Sequence, residues 1–86
     1  SNRESGFGRY DIELKPLNKK LPGIIIELKY KKDCTNEELK KLANEALKQI
    51  NDNHYDTNMK MEGIKIIYKY GVAFSGKHIE ISQAEE

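Results

Sequence analysis

Residues 23–29 read GIIIELK, and no other stretch limits the fold so tightly. Three successive isoleucines, each gaining roughly 1.5–3 kcal/mol on burial, are apolar on both faces of an extended chain and place this strand centrally in a sheet. Yet the run finishes with Glu27 and Lys29, and an unpaired charge at the end of a buried strand costs several kcal/mol. Whatever fold forms must give those two side chains partners or a task.

With 86 residues the chain is expected to form a single small domain, hiding about 60–65% of its unfolded surface. That excludes a large enclosed active site. Composition is that of a globular domain slightly rich in charge, and fifteen basic against fourteen acidic residues leave a net charge of +1. Attraction to nucleic acid must therefore be local. No apolar stretch approaches the roughly 20 residues of a membrane span, so no membrane partner is expected. The single cysteine, Cys34, can form no internal disulfide, which fits a reducing, cytoplasmic setting.

Residues 1–9, SNRESGFGR, read as a loop or an incomplete hairpin strand. From Tyr10 the pattern alternates, with Tyr10, Ile12 and Leu14 on one face and Asp11, Glu13 and Lys15 on the other, a half-buried strand ended by Pro16. The turn-forming LNKKLPG sends the next strand back antiparallel, from Gly23 to about Lys31. Thr35 with Glu38 three residues on is a capping-box signature. Leu39, Leu42, Ala43, Ala46, Leu47 and Ile50 then recur at helical spacing, giving about four turns with one apolar stripe that must lie on the sheet. After a polar connector, roughly 54–62, IKIIYKYGVAF predicts a strand, Ser75-Gly76 a turn and KHIEI a last strand, with the tail SQAEE frayed.

Side chains alternate along a strand, so Glu27 and Lys29 share a face, about 6.5–7 Å apart along the axis. The fifteen residues between Asp11 and Glu27 fit two adjacent antiparallel strands and their turn. Asp11, Glu27 and Lys29 can then converge at one edge of the sheet. Two hard carboxylates can share a magnesium ion, and the Lys29 ammonium could orient a water or offset charge developing on a phosphoryl group.

This pattern, D-x15-E-x-K in YDIELKPLNKKLPGIIIELK, resembles the core motif of the PD-(D/E)xK nuclease superfamily. The apolar run before E-x-K and the Gln49 of EALKQI match as well; on a helical projection Gln49 lies about 20° beyond Leu42, at the margin of the buried stripe. The words SNRESGFGRYD, IIIELK, EALKQI and YGVAFSGK, in this order, resemble the nuclease-like domain that follows an AAA-type ATPase-like domain in bacterial proteins. The resemblance implies an α/β (α+β) restriction-endonuclease-like core, with a mixed four-stranded sheet and one helix packed on it. The family's first helix is missing from residues 1–86, read as a single nuclease-like domain from the C-terminal part of a longer protein. It also implies a Mg²⁺ or Mn²⁺ ion on Asp11, Glu27 and the Leu28 carbonyl, with Lys29 and Gln49 completing the catalytic set. The implied partners are nucleic acid, DNA more than RNA, and the ATPase-like domain; exposed sheet surface would favour a homo-oligomer. No G-x-x-x-x-G-K-[ST] occurs in the chain, so no P-loop is expected.

Two other readings compete with nuclease activity. A nuclease-like fold can persist as an inactive binding or regulatory module, and in a small α/β interaction domain the charges would merely form a cross-strand salt bridge. Lys15, Lys19, Lys20, Lys31 and Lys32 read as one basic cluster suited to phosphates. His54 and His78 lack zinc-ligand spacing, and Ser75 reads as structural. Tyr55, Tyr68, Tyr70 and Phe74 read as packing residues, and Glu4 and Arg9 could approach the metal edge from the entering segment, although spacing assigns them no role.

Overall fold

Six elements follow one another in the computed structural model, which describes residues 6–84. They are β1 (Phe7–Leu14), β2 (Gly23–Lys31), α1 (Asn36–Asp52), α2 (Thr57–Met61), β3 (Ile67–Ser75) and β4 (His78–Ala84). The strands form one sheet in the order β1-β2-β3-β4. β1 and β2 are antiparallel, β2 and β3 parallel, β3 and β4 antiparallel. This is the expected mixed four-stranded sheet, with the expected helix α1 joined by a second, short one, and β2, carrying the isoleucine run, is internal.

Helix α1 starts where the sequence predicts. The Glu38 amide donates to Thr35 Oγ1 at 3.1 Å and the Thr35 amide to Glu38 Oε1 at 2.9 Å, so two amides that the helix leaves without carbonyl partners are satisfied. At the other end His54 takes a left-handed φ of 54°. There the Tyr55 amide reaches the Ile50 carbonyl and the His54 amide the Asn51 carbonyl, which is a Schellman closure. That closure turns Tyr55 back onto the core cluster around Ile50.

The helix lies on one face of the sheet, and it can do so closely because of Gly71. A β-carbon at position 71 would overlap the Ala43 carbonyl and the Leu47 amide. Around this contact the core divides in two. Ile25, Ile50, Met59, Ile64 and Ile67 form one cluster, and Leu39, Leu42, Ala43 and Ala73 form the other. The opposite face carries Tyr10, Ile12, Leu14, Ile79 and Ile81, all exposed; the half-buried strand expected at β1 is apolar on its uncovered side.

The structure differs from the sequence reading at several places, among them β3, which begins at Ile67 rather than at Ile64 where the run IKIIYKYGVAF starts. β1 begins at Phe7 rather than Tyr10, because Phe7 packs against the Leu39 cluster and holds extended a segment whose glycines suggested a loop. The connector contains the short helix α2, whose Met59 is wholly buried. β4 continues through Ala84, so residues 82–84 are paired with β3 rather than frayed.

α2 is tied to the sheet by charge. Asp56 Oδ2 lies 2.9 Å from both Lys60 Nζ and Lys69 Nζ, and Lys69 also donates to Asn51 Oδ1 at 3.0 Å. Burial pushes the Asp56 carboxyl up, but hydrogen bonds and charge from Lys60 and Lys69 outweigh it and hold the group at about 2, below its ordinary 3.8. Since the folded-state value is the lower one, the stabilisation is complete above the ordinary value and disappears as pH falls through about 2. Asp56→Asn is expected to lower the unfolding free energy by about 2 kcal/mol at pH 7 and to change little at the acid end of that window. Urea titrations at the two pH values measure this difference.

Candidate functional site

The register of β1 on β2 places Asp11 directly opposite Glu27 and Arg9 directly opposite Lys29. Directly opposed residues of an antiparallel pair share a face, with β-carbons about 4.5–5.5 Å apart. Glu27 and Lys29 also alternate with Ile25, a residue of the helix-side core. All four charged residues therefore lie on the helix side of the sheet, where Glu27 and Lys29 are buried and Arg9 and Asp11, on the edge strand, are exposed. On β3 the residues in register with Glu27 and Lys29 are Gly71 and Ala73, and on β4 Ser82 follows Gly71. A row Asp11–Glu27–Gly71–Ser82 thus crosses the sheet between the two apolar clusters. Ser82 Oγ donates to Asn44 Oδ1 of α1 at 2.6 Å, fastening the far end of the row.

Glu27 has no solvent exposure. Arg9 Nε donates to its Oε2 at 3.0 Å, and the ion pair joins a half-exposed guanidinium to a buried carboxylate. The hydrogen bond from Arg9 to Glu27, reinforced by the carboxylate's charge, raises the Arg9 pKa. Arg9 Nη2 donates to the Tyr55 hydroxyl at 3.4 Å, and Asn53 Nδ2 to the same oxygen at 3.3 Å. Arg9, which the sequence brings toward the metal edge without a role, is the residue that closes on Glu27. Arg9 stands two residues before Asp11 and so has the same parity, but the alternating pattern that marks the strand in the sequence begins only at Tyr10. Tyr55, read as a packing residue, both packs on the core and presents its hydroxyl to the guanidinium. Glu4 lies outside the described residues.

The four charges form a square in which like faces like across the strands. Asp11 opposes Glu27 and Arg9 opposes Lys29, so across the strands opposite charges meet only on the diagonals, while along each strand an acid and a base stand two residues apart on the same face. Sheet twist shortens one diagonal and lengthens the other, and only the Arg9–Glu27 diagonal is closed. Asp11 and Lys29 make no hydrogen bond or ion pair among the described residues, although Lys29 is itself 6% exposed.

Two buried side-chain acceptors among the described residues lack a hydrogen-bond partner: Glu27 Oε1 and Gln49 Oε1. Each such atom costs about 1–3 kcal/mol, more when charged. Both are hard oxygen donors of the kind that suits Mg²⁺ or Mn²⁺. No group of three or more His, Cys, Asp or Glu side chains that could hold a metal ion occurs among the described residues. The carboxylates offered are two, which matches the habit of Mg²⁺ of taking one or two and keeping several waters. Leu28 lies in a strand paired on both sides, opposite Tyr10 and Val72. A carbonyl has two lone pairs, so ladder pairing still leaves one for a further contact.

The lysines do not form one cluster. Lys15, Lys19 and Lys20 precede Gly23, whereas Lys31 and Lys32 stand at the other end of β2, and half a strand, about 13 Å, separates each group from Glu27. Lys15 is bound to Glu62 Oε2 at 3.0 Å. Lys19 and Lys20 instead join Lys65, Asn18, Gly63 and Ile66 around an open cavity of about 500 Å³.

A model of the PD-(D/E)XK nuclease superfamily matches residues 1–84. Comparison with curated proteins and with solved structures gave no match. The like-charge square makes its own prediction, independent of any activity. Asp11→Asn removes the repulsion across from Glu27 and is expected to raise the unfolding free energy by a few tenths of a kcal/mol, up to about 1, in a denaturant titration at neutral pH.

Proposed function

The chain belongs to the PD-(D/E)XK nuclease superfamily, and we propose that it is a divalent-metal-dependent nuclease domain hydrolysing phosphodiester bonds of nucleic acid, DNA in preference to RNA. The observation that carries this reading is the direct opposition of Asp11 and Glu27, with one buried oxygen of Glu27 left without a partner.

In this reading Asp11 and Glu27, with the Leu28 carbonyl, hold Mg²⁺ or Mn²⁺, and Gln49 braces the site from α1. A bound ion of this kind supplies Lewis acidity at a phosphoryl oxygen and lowers the pKa of water. The chain's own contribution is electrostatic and positional. Lys29, itself buried on β2, brings a positive charge to the side of Glu27 away from Ile25, where it offsets charge developing on the phosphoryl group. Lys19, Lys20 and Lys65 supply phosphate contacts about 13 Å along the sheet from the acid pair. The reading extends to location and partners: a cytoplasmic protein, an ATPase-like domain in a longer chain, and self-association through the apolar sheet face.

The test is incubation of plasmid and oligonucleotide substrates with Mg²⁺ or Mn²⁺ against a chelator control, using this chain and any longer natural chain that contains it. Cleavage that stops with chelator is expected, and Asp11→Ala and Glu27→Ala should each lose Mn²⁺ affinity and cleavage together. Either variant cutting at the parent rate would refute the assignment. Binding to an oligonucleotide duplex supplies a second measurement. Replacing Lys19, Lys20 and Lys65 together with Gln should reduce the slope of log K against log salt by roughly 2–3.

One observation favours a second reading, an inactive nuclease-like binding or regulatory module. Arg9 already neutralises Glu27, so the acid pair can stand without a metal. Nucleic-acid binding by the parent protein with neither Mn²⁺ affinity nor cleavage would select this alternative.

A further inference from the structure

We propose that Arg9 is a positioning residue, which grips one oxygen of Glu27 so that the other is presented to the cation. This inference rests on the metal-dependent reading above.

The contact geometry argues for it. A guanidinium that served only to neutralise a buried carboxylate would do best as a fork, with two parallel N–H groups on the two oxygens. Arg9 does not use that arrangement. Its Nε meets Oε2 at 3.0 Å, its Nη2 turns to the Tyr55 hydroxyl, and Oε1 is left buried and without a partner. Tyr55 is itself fixed, by the backbone closure at the end of α1 and by Asn53. The guanidinium is thereby braced from the helix at one end and clamps the carboxylate at the other.

The consequence is a carboxylate with unequal oxygens. One is engaged by a cation belonging to the protein, and the other can accept an ion without breaking that bond. Ligating carboxylates are commonly held this way by a hydrogen bond to the second oxygen, and loss of the holding group typically costs about 10–100-fold in metal affinity. Arg9 thus sets the number of oxygens that Glu27 gives to the metal at one.

Calorimetric titration with Mn²⁺ alone tests the proposal on the parent protein and on Arg9→Ala and Arg9→Lys, with thermal melting as a control for folding. Arg9→Ala is expected to bind Mn²⁺ about 10–100-fold more weakly. Arg9→Lys keeps a counter-charge for the buried carboxylate but offers a point charge instead of a planar fork; it should stay folded and fall between the two, and it decides the matter should Arg9→Ala not fold. Mn²⁺-induced infrared difference spectra supply a readout that a purely structural ion pair would not move. One-oxygen coordination makes the two C–O bonds of Glu27 unequal and widens the carboxylate stretching separation, whereas two-oxygen coordination narrows it. The parent should show the wide separation, absent in Glu27→Gln, and Arg9→Ala the narrow one. Folded variants that bind Mn²⁺ as tightly as the parent, or a narrow separation in the parent, would overturn the assignment of Arg9 alone. Absence of Mn²⁺ binding by the parent would instead remove the metal-dependent reading, and this inference with it.

Discussion

A carboxylate with no exposure to solvent is among the most expensive groups a small domain can hold, and the middle of this fold is arranged around one. Glu27 lies on the central strand, on the face covered by α1, between two apolar clusters rather than within either. Its neighbour in register on β3 is Gly71, where the helix backbone comes nearest to the sheet. A larger side chain at 71 would lift the helix and open the site to water. The glycine therefore sets the dielectric of the site as well as the packing distance. Low dielectric strengthens the Arg9–Glu27 bond and makes the unpartnered oxygen of Glu27 costly in the same measure.

How much of this the amino-acid order discloses depends on the range of the interaction. The capping box of α1, the β1–β2 hairpin and the interior position of GIIIELK follow from residues within a few positions of one another, and all are found as expected. The shared face of Asp11, Glu27 and Lys29 was also legible, because strand parity is rigid once two strands and a turn are recognised. Features whose cause lies farther away were hidden. Phe7 is extended because of Leu39 and its neighbours, and α2, a single short turn without usable periodicity, is held by Met59 in the core and by the Asp56–Lys69 pair. The five basic residues taken as one cluster are close in sequence, yet a strand stands between the two groups. The parity of Arg9 has meaning only if the strand reaches it, and what carries β1 back to Phe7 is the distant Leu39 cluster.

The arrangement of charge at the site runs against stability. Exchanging the charges on either strand would turn two like-charged cross-strand pairs into two attractive ones, and an antiparallel pair offers about 0.2–1 kcal/mol for each. The present order keeps Asp11 and Lys29 free of one another and leaves a single diagonal closed. The like-charged pairs are offset in part by the acid and base that stand two residues apart along each strand and by the closed Arg9–Glu27 diagonal. The pattern makes sense where a further charge, positive between the acids or negative beside the amines, completes it. Membership in a nuclease superfamily supplies both candidates, a divalent cation and a phosphodiester.

Among the described residues, a second buried carboxylate, Asp56, shows what a purely structural solution looks like. Asp56 has two lysine partners on one oxygen, one of which is also held by Asn51, and its carboxyl is held at about 2. Its task is to fix α2 against β3, and closing its hydrogen bonds serves that task. Glu27 is more deeply buried than Asp56 and has one partner, on one oxygen. If burial alone governed how completely a carboxylate is satisfied, the order would be reversed. The difference between them is that Asp56 sits where two elements must be joined, whereas Glu27 sits where the strands bring a second carboxylate and an uncommitted ammonium alongside it. Of the two carboxylates, Glu27 is the one with a buried oxygen that no group among the described residues engages.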